Sequence, residues 1–527
     1  MTIETTDIPS GFRRRGVGTP YAKGPARWWL LLAALFVLGI AFRLFWFRDF
    51  GFPINDGALF AAIADAIMAN GMLLPTEYDF NGHTLPLSYP PLGLWIAALI
   101  SKLTGADMVL VATWYPFATN ILIMVGSLGF LRAMKAPWPI IVLAAAFLLF
   151  QHHSMRFLMM GGGITRGTSV AVLVVAFWAT VRLVAAPGNG RIAGVALLCG
   201  TAILSHLEFG MAAAIGITLL ILMSDLPIGQ RVRILLMVGA GSFAVIVPWL
   251  YWVLVNHGLG PFLAASETSA WCLECSALAA LQLDFLPWYV AIPGFIGILE
   301  LARQRKHFWL LFALAIIFII PRNAGNLLIL PNSVLAAYGT LQLARLFTLG
   351  REAWDEYADR DLPRILTTPF SSVLILVVCV AGTTSIGSIY SNSERDVMET
   401  LTPEARAGMA WVNEHIPAET NFVVYSGDHW ASDETAEWFP YLTQSHSLST
   451  AQGLEWVGNG YFNERLGELT ALRSTALCSG LVMNLLDTYP GAEYVFAVEQ
   501  HTCFDDYPAF TEVYSNDGAA VFKITGG

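Results

Sequence analysis

Residues 28–56 read WWLLLAALFVLGIAFRLFWFRDFGFPIND, and this stretch decides the fold class. Trp28 to Phe47 is apolar but for Arg43, close to the ~20 residues that a helix needs to cross a bilayer. It is too long for the apolar segment of a secretory signal, about 7–15 residues. Arg13, Arg14, Arg15, Lys23 and Arg27 precede it, which predicts a first span whose N-terminus stays in the cytoplasm. The chain leaves that span through Arg48 and Asp49 and reaches Asp56 at the far membrane surface.

The rest of the chain agrees with lipid as the main solvent. Of 527 residues 56% are hydrophobic and only 13% charged, against about a quarter charged in soluble chains. The net charge of -10 is unevenly placed: from Ser391 onward there are 20 Asp+Glu and 5 Lys+Arg, and the remainder is net basic. An acidic tail on a weakly basic apolar body argues against nucleic-acid binding.

Further apolar runs lie near 109–131, 138–151, 168–186, 192–205, 209–224, 234–255, 286–302, 308–320, 331–348 and 370–390. They predict a mainly α, polytopic helical bundle of about eleven spans, some tilted, half-length or re-entrant. The expected division is a cytoplasmic tail (1–27), a transmembrane part (28–390) with a long first outer loop (48–108), and an extracytoplasmic α/β domain (391–527). Basic residues fit this plan. Of the 29 Lys+Arg, 18 fall in the expected inside segments and five in the tail domain. Six are left at or near outer ends: Arg43, Arg48, Lys102, Arg156, Arg166 and Arg322. The expected location is the plasma (inner) membrane. Cys478 and Cys503 both fall outside, where a disulfide can form; Cys272 and Cys275 are too close in sequence to pair without strain, and nothing nearby completes a metal site around them.

The first outer loop is unusually long, and long loops tend to carry function. After Asp56 comes a helix-like segment, Ala58 to Asn70, ended by Gly71. A polar stretch follows with Glu77, Tyr78, Asp79 and His83, then Tyr89-Pro90-Pro91-Leu92-Gly93-Leu94-Trp95 and an apolar segment suited to the membrane interface. Asp56 reads either as the N-cap of the Ala58 helix or as a catalytic base at the lipid–water boundary.

This layout of span, acid, short helix and Tyr-Pro-Pro segment resembles the GT-C glycosyltransferases, which take a sugar from a polyprenyl-phosphate donor and include protein O-mannosyltransferases and lipid A aminoarabinose transferases. Gly161-Gly162-Gly163-Ile164-Thr165-Arg166-Gly167, Leu204-Ser205-His206-Leu207-Glu208, Glu437-Trp438-Phe439-Pro440 and Gln452-Gly453-Leu454-Glu455-Trp456 look like bacterial members. The resemblance implies a polyprenyl-phosphate-linked sugar as donor, a protein, glycan or lipid acceptor, and Asp56 as the first-loop catalytic acid. The sequence departs from the family in one respect. Many members carry a second acid beside the first or in the second outer loop, whereas Asp56 is flanked by Asn55 and Gly57, and 152–167 holds His152, His153, Arg156 and Arg166 but no acid. No metal site and no cofactor are expected.

Transfer from a lipid phosphate needs few parts. A carboxylate within reach takes the proton of the attacking hydroxyl, and arginines receive the charge that develops on the leaving phosphate. One base and one displacement predict inversion at the anomeric carbon. Arg322, and after it Arg166, are the candidates for the donor phosphate; the alternative for each is snorkelling to the interface. His206, Glu208, His153 and Tyr89 are candidate substrate contacts, against structural readings as a hydrogen-bonded re-entrant turn for His206 and Glu208 and as interfacial polar residues for His152 and His153.

In the tail, Pro403 to Ile416, Asn463 to Leu472 and Leu481 to Leu486 read as helices. Phe422 to Tyr425, Tyr494 to Val498, Val513 to Tyr514 and Val521 to Ile524 read as strands, with no glycine fingerprint for a nucleotide. Trp430, Trp438, Phe439, Tyr441 and Trp456 stack on sugars or, as the preferred reading, pack the tail against the membrane part. Two rivals stand beside a transferase: a non-catalytic assembly protein derived from such an enzyme, and a transporter, for which no internal repeat is evident.

Overall fold

A computed structural model describes residues 26–47, 51–150, 156–267, 274, 287–349, 368–390, 400–426, 433–457, 460–473, 478–498, 502–505 and 507–525. The chain starts with α1 (Ala26–Phe47), then α2 (Ala58–Ala69), a hairpin β1 (Glu77–Phe80) and β2 (His83–Pro86), and α3 (Leu92–Thr104). The helices α4 (Met108–Ala133), α5 (Trp138–Phe150), α6 (Arg156–Met159), α7 (Gly163–Ala185), α8 (Asn189–Ser205), α9 (Leu207–Leu222) and α10 (Ile228–His257) follow. Beyond them lie Trp288–Arg303, Phe308–Ile319, Ile329–Leu349 and Thr368–Tyr390. Each apolar run in the sequence coincides with one of these helices.

Lengths differ from the expectation of about eleven crossings. Among the described residues three helices, α4, α7 and α10, are long and apolar enough to span, or four if a bent pair counts as one. That pair joins Phe308–Ile319 to Pro321–Leu327 through a 118° bend. Pro321 has no N–H for the helix behind it, and the break sets Arg322 at the turn. α5 is apolar all round for another reason: from Pro139 to Phe150 every residue is buried. Arg43 is buried as well. Its Nε donates to Asn120 Oδ1 (2.8 Å) and its Nη1 to the Leu149 carbonyl (2.7 Å), so it satisfies open carbonyls at the end of α5 rather than facing the outer surface.

The tail carries a five-stranded mixed sheet, ordered β4 (His446–Ser447), β3 (Asn421–Tyr425), β5 (Tyr494–Val498), β7 (Ala519–Ile524), β6 (Phe510–Ser515). β3 runs parallel to β4 and β5; β7 is antiparallel to β5 and β6. Period-two alternation gives it two apolar faces. Val423, Val495, Ala497 and Phe522 pack with the helix Cys478–Thr488, whose Cys478 is bridged to Cys503 as expected. Phe422, Val424, Phe496 and Val521 pack with the helices Pro403–His415 and Glu434–Thr443, and on through Trp438 and Phe439 into Ile63 and Ile67 of α2 and Leu94 of α3. The first loop and the tail thus share one core. Cys272 and Cys275, together with Trp430, lie outside the described residues.

Candidate active site

Asp56 sits in a tight corner. Asn55 before it has φ +51° and Gly57 after it φ +139°, a value that favours glycine. A Cβ on Gly57 would lie 3.0 Å from Gly161 Cα and 3.1 Å from Trp438 Cζ2. The three glycines 161–163 have a related task. Gly161 N donates to the Ile54 carbonyl (2.9 Å) and Gly162 N to Asp56 Oδ1 (2.7 Å). A side chain on Gly161 would strike the Asp56 carbonyl, and one on Gly162 would strike the Asp56 carboxylate and Arg166. The glycine run lets backbone close on the acid itself. Arg166, one turn into α7, completes the grip: its Nη2 bonds Asp56 Oδ2, and its Nε donates to the Gly162 carbonyl at 3.3 Å.

The N-cap reading of Asp56 is therefore corrected. Gly57 occupies the N-cap of α2, and the acid that meets the helix end comes from the tail: Glu437 Oε1 accepts from Gly57 N at 2.8 Å. Glu437 is 5% exposed. Burial first, then the Asp56 charge, pushes its carboxyl well above the ordinary range, against the pull of its hydrogen bonds to the Gly57 and Leu59 amides. The site thus holds a second acid, supplied by Glu437-Trp438-Phe439-Pro440 of the tail rather than by the residues around Asp56 or by the described part of 152–167. Trp438 Nε1 donates to the Asn55 carbonyl (2.9 Å), Tyr441 OH to Asp65 Oδ2 (2.7 Å), and Asn81 exchanges bonds of 2.5 and 2.8 Å with the Ser447 backbone. Trp438 and Phe439 are fully buried, so these aromatics pack and do not present sugar-stacking faces.

The other candidates converge on Tyr89. Its hydroxyl is 3.2 Å from Thr165 Oγ1, and its ring meets Phe60 (5.3 Å), Trp456 (5.6 Å) and His206 (6.2 Å) edge to face. The charges of Arg166, Asp56 and Glu208 all act on that hydroxyl. His206 forms the turn between α8 and α9. Burial, then the charges of Arg166 and Arg322, push it down to about 3, which leaves it neutral, and its Nδ1 has no hydrogen-bond partner among the described residues. Glu208 Oε2 accepts from Asn323 Nδ2, tying the start of α9 to the bend that carries Arg322. Arg322 is exposed, makes no hydrogen bond or ion pair with the described residues, and acts on His206 and on Glu455. Burial raises the Glu455 carboxyl, against its hydrogen bonds to its own and the Gly453 amide and, after them, the Arg322 charge. Asp56, Tyr89, Arg166, His206, Glu208 and Arg322 thus meet in one neighbourhood, joined by Glu437 and Glu455. His153 lies outside the described residues.

Solved structures share this architecture. Over 95% of the chain and 98% of the other, it superimposes on ArnT from Cupriavidus metallidurans bound to undecaprenyl phosphate, with a TM-score of 0.54 and 15% identity. The oligosaccharyltransferase AglB from Archaeoglobus fulgidus, in complex with an inhibitory peptide and a dolichol-phosphate, matches with a TM-score of 0.54 and 11% identity over 90% of this chain and 70% of its own. The arabinofuranosyltransferase AftD from Mycobacteria matches with a TM-score of 0.55 and 12% identity over 96% of this chain and 40% of its own. At these identities the likeness is one of fold, and the chain shares the fold of these three solved structures. Three helices among the described residues are long and apolar enough to cross a membrane, as that architecture requires. No protein-family model and no curated protein sequence matches it.

Proposed function

We propose that this GT-C chain is a membrane glycosyltransferase that moves a sugar from a polyprenyl phosphate to an acceptor on the non-cytoplasmic side, with inversion and with Asp56 as the base. In this reading residues 28–390 form the membrane part, 391–527 the extracytoplasmic part, and the N-terminus is cytoplasmic. The observation that carries it is the pairing of Asp56 with Arg166 beside an uncommitted Arg322. A lipid phosphate entering between the two arginines would compete with Asp56 for Arg166, whose Nη1 is still unbonded among the described residues. Loosening that pair frees the carboxylate to accept the hydroxyl proton of the acceptor, while both guanidinium groups take up the phosphate charge. Neutral His206, on which both arginine charges act, and the Tyr89 hydroxyl, on which the Arg166 charge acts, supply polar contacts without adding charge. Glu437, its proton held by burial and the Asp56 charge, keeps the Gly57 corner in place.

Native mass spectrometry of the gently purified protein with undecaprenyl phosphate as probe tests this. The wild type should retain the lipid. Arg322→Ala should weaken retention about tenfold, the worth of one charge-assisted hydrogen bond, and should leave the fold intact because no described residue loses a partner. Equal retention by both proteins would remove Arg322 from the phosphate site.

A further inference from the structure

A pocket opens at the end of the bundle away from Asp56. Its volume is about 710 Å³, and its walls come from α1, α4, α5 and α7. Trp29, Leu32, Phe36, Trp138 and Trp178 make it apolar. At its rim stand two cations, Arg132 near the end of α4 and Arg182 in the last turn of α7. The Arg132 guanidinium lies 4.5 Å from the centre of the Trp138 ring and that of Arg182 4.7 Å from the centre of Trp178. Neither forms a hydrogen bond or an ion pair with the described residues, and among those residues no carboxylate lines the pocket. Trp178 lies close against α4 because position 129 is glycine: a Cβ there would be 2.9 Å from the ring.

The pocket is separate from the Asp56 site. Arg166 and Arg182 are both on α7, sixteen residues and so about 24 Å apart along the axis, close to the ~30 Å of a hydrocarbon core. Trp29 is 56% exposed and its neighbour Leu30 70%, so this part of α1 faces outward from the bundle. A ligand that fits must bring an apolar body for the tryptophan-lined wall and an anion for two guanidinium groups. Aromatic rings with cations beside them are typical of a membrane interface.

We propose that this pocket binds an anionic glycerophospholipid of the leaflet opposite the Asp56 site, its headgroup phosphate on Arg132 and Arg182 and an acyl chain among Trp29, Phe36, Trp138 and Trp178. A phosphodiester supplies the charge that the rim lacks, and guanidinium groups match its oxygens in pairs. A soluble anion would leave the apolar wall bare, and a zwitterionic lipid would bring its own cation to a site that already has two.

The test is native mass spectrometry of the full chain in micelles holding equal phosphatidylglycerol and phosphatidylcholine, with undecaprenyl phosphate in a separate arm. The wild type should retain phosphatidylglycerol over phosphatidylcholine by about tenfold. The double variant Arg132→Gln/Arg182→Gln should lose that preference and keep its undecaprenyl phosphate. Arg182→Gln alone should lose part of it; Arg182 is exposed and bonds to no described residue, so this variant reads the site even where the double variant folds poorly. Equal retention of the two phospholipids by the wild type would overturn the proposal. So would a preference that survives both variants, or undecaprenyl phosphate held at these arginines ahead of phosphatidylglycerol.

Discussion

Replacing Asp56 by Asn removes a proton acceptor without removing a helix cap, since Gly57 and Glu437 hold the start of α2. Asp56→Asn should therefore keep the melting temperature within a few degrees and lose transfer about 10²- to 10⁴-fold, the usual worth of a positioned base. Release of undecaprenyl phosphate from a sugar-linked donor is the readout, and retained release would exclude Asp56 as the base. At this scale the sequence is informative wherever chemistry is local. Asp56, Arg166, His206, Glu208, Tyr89 and Arg322 are ionisable or polar groups at the ends of apolar runs, and they do meet. Glu437 is not legible in the same way. It reaches Gly57 from 380 residues away, and only the tertiary contact reveals that the corner has two acids. Its one signal in the sequence is an acid set directly before Trp438-Phe439-Pro440, where a charge is costly unless it is hydrogen-bonded.

Among elements, the junction of α2 with the tail helix Glu434–Thr443 has a pH dependence whose sign can be worked out. The folded state raises the Glu437 carboxyl above its ordinary value of 4.5, so it holds a proton that the unfolded chain releases. The junction is at full strength below about pH 4.5 and loses stability as pH rises from there through the raised value. Glu437→Gln should flatten the change of melting temperature over that window, while the amide oxygen of the new side chain still accepts from Gly57 N. An unchanged slope in the variant would place the titration elsewhere. Helices are legible here because apolar runs need no partner to be recognised, which is why α4, α5 and α9 begin and end close to their runs. The first-loop hairpin is less so: its composition reads as polar loop, although Asn81-Gly82 carries the signal of a tight turn, with φ +53° and +73°. The 118° bend at Pro321 could not be told from a straight span by hydropathy alone.

On the scale of the whole molecule, the shared core of first loop and tail means that the acid corner is assembled from parts far apart in the chain. Phe52, Leu59 and Ile63 from the loop share that core with Trp438, Phe439 and Phe496 from the tail. If the tail is extracytoplasmic, protease added to right-side-out vesicles should cut it, and protection of the tail would reverse the proposed orientation. In the proposed transferase, Asp56, Arg166 and Arg322 surround a lipid phosphate. The most direct measurement is a cryo-electron microscopy structure of the protein with undecaprenyl phosphate. Phosphate density is expected between Arg322 and Arg166, with the Asp56–Arg166 pair opened or shared. Phosphate bound away from both arginines, with Asp56 still closed on Arg166 and Gly162, would contradict it.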